Sequence, residues 1–228
     1  LFLHLLAKQT PCSTDEASMI ILNGDEVECP EGIKVVNFTQ EPWIKSEHVV
    51  PRKHALTQLI VHRGAETNRN SAKRTKEVLD NRNLSTLFTM DIDGTIYQHF
   101  DPALFRGKHC THHNVQSDSI DVAGVFTQPS SSALPEQNIV TLPLAIGRSR
   151  VYNDPMQRKV VPFKYHDLTD AQKNALKIFI PWWCDLRGID KVIRGEHRTF
   201  RRGGLGINDP VTTWRGVLSH CQVADPGH

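Results

Sequence analysis

The sequence predicts an α/β fold with a mixed central β-sheet flanked by helices and preceded by an N-terminal β extension. Three observations carry this. An aliphatic run at residues 59–61 (LIV) has the length and branching of a central strand and gives way at once to the polar HRGAE. An Asp93-Gly94 pair sits between two apolar runs, the strongest hairpin signal in the chain. Two helical patterns, over residues 69–82 and from Thr169 onward, are set apart by strand-like stretches.

Residues 1–50 read as the extension, packed on a main domain over residues 51–228. Asn23-Gly24 lies between Ile20, Ile21, Leu22 and Val27, and that dipeptide tolerates the positive φ values of a type I′ turn. After Pro30-Glu31-Gly32, IKVVNF reads as a further strand. The opening LFLHLLA is too short to span a bilayer; a processed-signal remnant and an apolar strand both stay open. Over residues 69–82 the expected N-cap is Ser71, with Ala72, Thr75, Val78 and Leu79 on one face. Residues 119–126 (SIDVAGVF) alternate, with Ile120 and Val122 on one side and Ser119, Asp121 and Ala123 on the other.

Residues 127–165 form a long insertion rich in Ser and Pro, holding the strand-like NIVTLPLAI. Thr169 then caps a helix, with Gln172 completing a capping box. Ala175, Ile178, Phe179, Trp182, Trp183 and Leu186 are its apolar positions, and Pro181 is expected to kink or end it. Residues 192–216 read as a basic, glycine-rich connection into the terminal segment. There are no internal repeats.

Composition sets bounds. With 228 residues, 39% hydrophobic and 23% charged, the chain suits one main globular domain. A net charge of +2 argues against nucleic acid as a partner, and no stretch predicts a membrane span. Five cysteines (Cys12, Cys29, Cys110, Cys184, Cys221) include no CxxC pair, so they read as buried or free thiols, with a Cys12–Cys29 disulfide open in an oxidising compartment. Twelve histidines are many, and His109, His112 and His113 cluster as a metal or polar-substrate site would, or as a solvated polar loop would.

Four blocks stand in a telling order: His62 closing an apolar strand, residues 84–101 (LSTLFTMDIDGTIYQHFD), residues 112–122 (HHNVQSDSIDV), and, after a late helix, residues 219–228 (SHCQVADPGH). Together they resemble the zinc-dependent N-acetylmuramoyl-L-alanine amidases, a family that shares its fold with peptidoglycan recognition proteins and with phage lysozymes that are amidases. The resemblance covers roughly residues 55–228, and the order is more specific than any one block.

The resemblance implies Zn2+ as cofactor and peptidoglycan or a muropeptide as partner. It places the first zinc ligand at His62 and the second at His220. The family segment continues to a lysine and then an aspartate or cysteine. Here either the sequence stops short of those groups or His228 is the third ligand, and three neutral imidazoles are a competent zinc set. Family members carry a general-base glutamate or tyrosine at places held here by Ala123 and Thr86. Asp121 shares a face with Ala123 and is the candidate base, against the alternative of a surface aspartate; Glu66 comes next. His112 or His113 matches the family histidine that stabilises an oxyanion.

The implied reaction is hydrolysis of the amide between N-acetylmuramic acid and L-alanine. A catalytically silent relative that binds cell-wall fragments, or is part of a larger assembly, is the alternative. Trp182 and Trp183 read as helix core rather than a sugar platform. The basic run Arg194, His197, Arg198, Arg201 and Arg202 is a solvated face or a contact for anionic wall polymers. The cell envelope, secretion or a phage particle are the settings this implies.

Overall fold

The computed structural model describes residues 17–63, 71–110, 113–124, 139–145, 161–166, 168–193 and 214–219. β1 (Met19–Leu22) and β2 (Asp25–Glu28) form the expected hairpin, with Asn23 at φ 58° and Gly24 at φ 84°. Those two left-handed residues are what a type I′ turn needs. The tip is clasped by the Asp101 carboxylate, which accepts from the N–H of Asn23 at 3.0 Å and of Gly24 at 2.7 Å. Gln98 bonds both the N–H and the carbonyl of Ile21, tying the hairpin to the sheet.

The remaining elements are β3 (Val35–Val36), β4 (Val50–Pro51), β5 (Gln58–Arg63), α1 (Ala72–Asp80), β6 (Phe88–Met90), β7 (Ile96–Gln98) and β8 (Phe105–Arg106). β9 (Ser117–Val122), β10 (Ile139–Ala145), β11 (Val161–His166), α2 (Asp170–Arg187) and β12 (Gly216–Ser219) follow. Six strands make a mixed central sheet in the order β12-β5-β9-β6-β7-β3. The first four are mutually parallel, β7 runs antiparallel to β6, and β3 is parallel to β7. Thus β3, from the N-terminal extension, is an edge strand of the main sheet. β4 pairs with β8, and β10 with β11, as separate antiparallel pairs.

The helices cover both faces. α2 begins at the predicted capping box, Thr169 with Gln172, and ends on Gly188 in the left-handed conformation at φ 66°. It buries Phe179 and Trp183 against Phe88, with ring centroids 5.0 and 4.8 Å away and planes nearly perpendicular. Leu59, Met90, Ile96, Ile120 and Val122 complete that core. Pro181 does not end the helix as one reading of the sequence expects. The loss of one backbone donor is outweighed by burial of Phe179, Trp183 and Cys184 on either side of it. α1, capped by Ser71 as predicted, packs against β6 and β9. Its Lys73 lies over Trp43, which meets Tyr97 on the face turned away from α2. Cys29 and Cys184 are buried free thiols, and burial pushes Cys29 up to about 12.

β12 is a strand where the sequence suggests only a connection. Gly216 explains the difference. At φ 124° it lies in a region that L side chains avoid, and a Cβ there would overlap the Val192 carbonyl oxygen. Gly216→Ala is therefore expected to unseat β12 from β5, costing roughly 1–3 kcal/mol in urea unfolding.

His99 is a strongly perturbed imidazole. It is fully buried, Nδ1 donates to the Ile44 carbonyl at 2.6 Å, and Nε2 accepts from the Thr89 hydroxyl at 2.9 Å. Burial, the dominant cause, lowers its pKa to about 3. An unfolded imidazole titrates near 6.5, so between about pH 6.5 and 3 the unfolded chain holds a proton that the folded chain does not. Stability from this site is full above about pH 6.5 and falls as pH drops towards 3. The loss is on the order of 4–5 kcal/mol, at 1.36 kcal/mol per pKa unit. Urea midpoints measured across that range should fall more steeply for the parent than for His99→Gln.

Candidate functional site

A strand in the middle of four parallel neighbours is ordinarily apolar on both faces. β9 is not. Ile120 and Val122 meet the α2 core, whereas Ser117, Ser119 and Asp121 alternate onto the other face, all buried. β5 shows the same division, with Leu59 towards α2 and Gln58, Ile60 and His62 away from it. Parallel register sets His62 beside Asp121 and Asp121 beside Thr89, so one row of the sheet carries an imidazole, a carboxylate and a hydroxyl on adjacent strands about 4.8 Å apart. A sheet that gives up apolar area this way marks a functional or strained site.

His62 meets a second imidazole there. Its Nε2 lies 3.0 Å from Nδ1 of His109, and the two rings are edge to face, 5.1 Å apart and at 84°. His109 is held at both ends. Asn114 Oδ1 accepts from the backbone N–H of His109 at 2.8 Å and of Cys110 at 2.6 Å, and His109 Nε2 reaches Ser117 Oγ at 3.1 Å. The sequence shows His109 within a histidine cluster. It does not show that the 47-residue separation closes onto His62.

Asp121 is 2% exposed, a buried carboxylate and not a surface one. His113 is 1% exposed, and its Nδ1 donates at 2.9 Å to Gln58 Oε1, whose amide donates at 2.7 Å to the Trp214 carbonyl. That chain ties the loop before β9 to the approach of β12. Thr86 shares a 2.8 Å hydrogen bond with Ser119, and Ala123 is buried with its backbone bonded to Met90 and Gln172. Trp183 is fully buried and Trp182 half-buried, in the helix core. His112, His220, His228, Glu66 and the basic run at residues 194–202 lie outside the described residues.

The donor geometry bears on whether zinc fits. Two nitrogens on one tetrahedral zinc, each at about 2.0–2.1 Å, stand about 3.3 Å apart. His62 Nε2 and His109 Nδ1, at 3.0 Å, are within a few tenths of that spacing. Among the described residues no third His, Cys, Asp or Glu completes a metal-holding group.

No family model matches the chain, and no curated protein does. Several solved structures are similar to it. The Drosophila peptidoglycan recognition protein PGRP-SA matches at 14% identity and a TM-score of 0.43, covering 82% of this chain and 95% of that one. Wild-type Drosophila PGRP-LB matches at 15% identity and 0.42, covering 85% of each. Manduca sexta peptidoglycan recognition protein-1 matches at 13% and 0.42, covering 81% and 93%. Such likenesses assign no role to any residue, so the chemistry rests on the side chains described above. Among the described residues no helix is long and apolar enough to cross a membrane.

Proposed function

We propose that this chain is a peptidoglycan hydrolase that cleaves the amide between N-acetylmuramic acid and L-alanine, with zinc as cofactor. The observation that carries the reading is the imidazole pair His62 and His109 at the end of β5, in register with the buried carboxylate of Asp121. When bound, zinc supplies a Lewis acid and brings the pKa of a water ligand to about 7. His62 would hold it. The resemblance of the terminal segment is the basis for His220, which follows the last residue of β12 and lies outside the described residues, as the second ligand. His228 is the third that the sequence suggests.

Asp121 takes the proton from the attacking water and returns it to the leaving amine, the ordinary work of a positioned carboxylate. Its burial beside His62 keeps it from being solvated away from that task. His112 or His113 would stabilise the oxyanion; the Nδ1 of His113 is engaged by Gln58. One observation favours the second reading, a cell-wall binder without turnover. The places where family members carry the base hold Thr86 and Ala123, both packed into the structure with no acidic group.

Metal content tests the proposal. The full-length protein should carry about one zinc per chain, and His62→Ala should lose both metal and lysis. Elemental analysis finding no zinc in the full-length protein would leave the binding reading.

A further inference from the structure

We infer that Arg52, Arg106 and Arg187 form a binding site for a doubly charged oxyanion, free phosphate or a phosphate monoester, at the end of the sheet away from His62. Asp118, around which they gather, stands three residues before Asp121 on β9 and points to the opposite face, where Arg187 of α2 meets it. Three residues of strand span about 10 Å, so this site is separate from the proposed hydrolytic one and does not rest on it.

Charge is the first argument. Asp118 is fully buried, with Arg52 Nη2 on one oxygen and Arg187 Nε 3.3 Å from the other. The side chains of Arg52 and Arg187 are themselves only 8% and 12% exposed. Arg106 is the third cation. Burial is the largest cause lowering the Arg52 pKa; Asp118 opposes it, and the charges of Arg187 and Arg106 add to it. Three guanidiniums thus share one carboxylate, and two positive charges are left over. Elsewhere Arg74, Lys76, Lys191 and Arg215 are each matched to a single carboxylate. Positive charge held out of water without a counter-ion is costly. A phosphate dianion cancels this surplus, whereas a monocarboxylate cancels half of it.

Geometry is the second. Arg52 Nε donates to the Pro102 carbonyl at 2.8 Å and Nη2 to Asp118, but Nη1 is buried and has no hydrogen-bond partner among the described residues. Buried donors are ordinarily used, and an oxyanion is what a guanidinium fork suits. Val50 is opposite Arg106, and the Arg52 N–H donates to the Leu104 carbonyl at 2.9 Å, so the β4–β8 ladder runs on past Pro51. Strand alternation then sets Arg52 and Arg106 on one face as diagonal neighbours, roughly 7–8 Å apart and within reach of long side chains. Arg106 is half-buried, makes no ion pair among the described residues, and flanks the hairpin beside Leu104, which is 49% exposed. That is the open side of the site, where Arg106 can turn to admit the anion. The Pro102 carbonyl, which also accepts from Arg187 Nη2 at 3.1 Å, holds the other two guanidiniums in place beforehand.

The test is calorimetric titration of the full-length protein, freed of metal by chelation, at a constant ionic strength of about 0.15 M. The parent should bind inorganic phosphate saturably, and acetate more weakly by on the order of 10-fold. Glycerol phosphate titrated alongside separates the sources: binding of both points to a monoester, and binding of inorganic phosphate alone to the free ion. Arg106→Gln should weaken phosphate by on the order of 10-fold or more, because a charged hydrogen bond is lost. Circular dichroism checks that it is folded. If it is not, Arg106→Lys, which keeps the charge and loses the fork, takes its place and should also bind more weakly than the parent. His62→Ala should bind phosphate as the parent does, since its side chain lies on the other face. No saturable binding by the parent, phosphate and acetate bound alike, parent-like affinity in the folded Arg106 variant, or phosphate binding lost in His62→Ala would overturn the site. Each of these results leaves the hydrolase reading to its own test.

Discussion

Asp118→Ala is expected to destabilise the fold by about 3–5 kcal/mol, more than any other single polar substitution on the α2 side of the sheet. Asp118 is fully buried on β9, and both of its oxygens are engaged by guanidiniums. Arg52 Nη2 bonds Oδ1, and Arg187 Nε lies 3.3 Å from Oδ2. The two arginines also converge on the Pro102 carbonyl, at 2.8 and 3.1 Å, and Arg187 lies over the Trp183 ring. Removing the carboxylate leaves two nearly buried cations facing one another without a counter-charge. That is costlier than the loss of the pair itself, because the desolvation of both guanidiniums is no longer offset. The triple replacement Arg52→Met, Asp118→Leu, Arg187→Met removes all three charges and should recover most of the loss. Guanidinium unfolding midpoints are the readout. A loss under about 1 kcal/mol for Asp118→Ala would mean that water reaches the cluster.

Asp121→Asn is expected to lower turnover on muropeptide by on the order of 10²-fold or more while zinc stays bound. The substitution keeps shape and removes basicity. Asp121 stands next to His62 across one strand spacing, buried, on the polar face of the sheet. Single-turnover cleavage measured beside metal content separates the roles: lost rate with retained zinc isolates proton transfer. Parent-like cleavage by Asp121→Asn would move the base elsewhere, with Glu66 the next candidate.

What the sequence discloses follows the range of the forces involved. The turns at Asn23-Gly24 and Asp93-Gly94 are legible because positive φ is a local demand that few residues meet. The Thr169 capping box is legible because both of its hydrogen bonds lie within four residues. Alternation along β9 shows which residues share a face, and so groups Asp121 with Ser119 from the residue order alone. Register across strands is not legible. That His62 faces Asp121, 59 positions along the chain, depends on how β5 lies against β9. The Arg52–Asp118–Arg187 cluster joins residues 66 and 69 apart, and none of the three stands out in the sequence. His109 is visible as one of a cluster, but its approach to His62 depends on Ser117 and Asn114 holding it. β12 is hidden because Gly216 is required by a carbonyl at Val192, not by its neighbours in sequence.

The proposed zinc-dependent amide hydrolysis, on the face bearing His62 and Asp121, is tested most directly by product analysis. Zinc-loaded, full-length protein is incubated with a defined muropeptide, and release of stem peptide with a free N-terminal L-alanine is followed by mass spectrometry. This peptide should accumulate with the parent and be absent with His62→Ala or after chelation. A zinc-loaded parent that binds the muropeptide and returns it uncut would contradict the proposed hydrolysis.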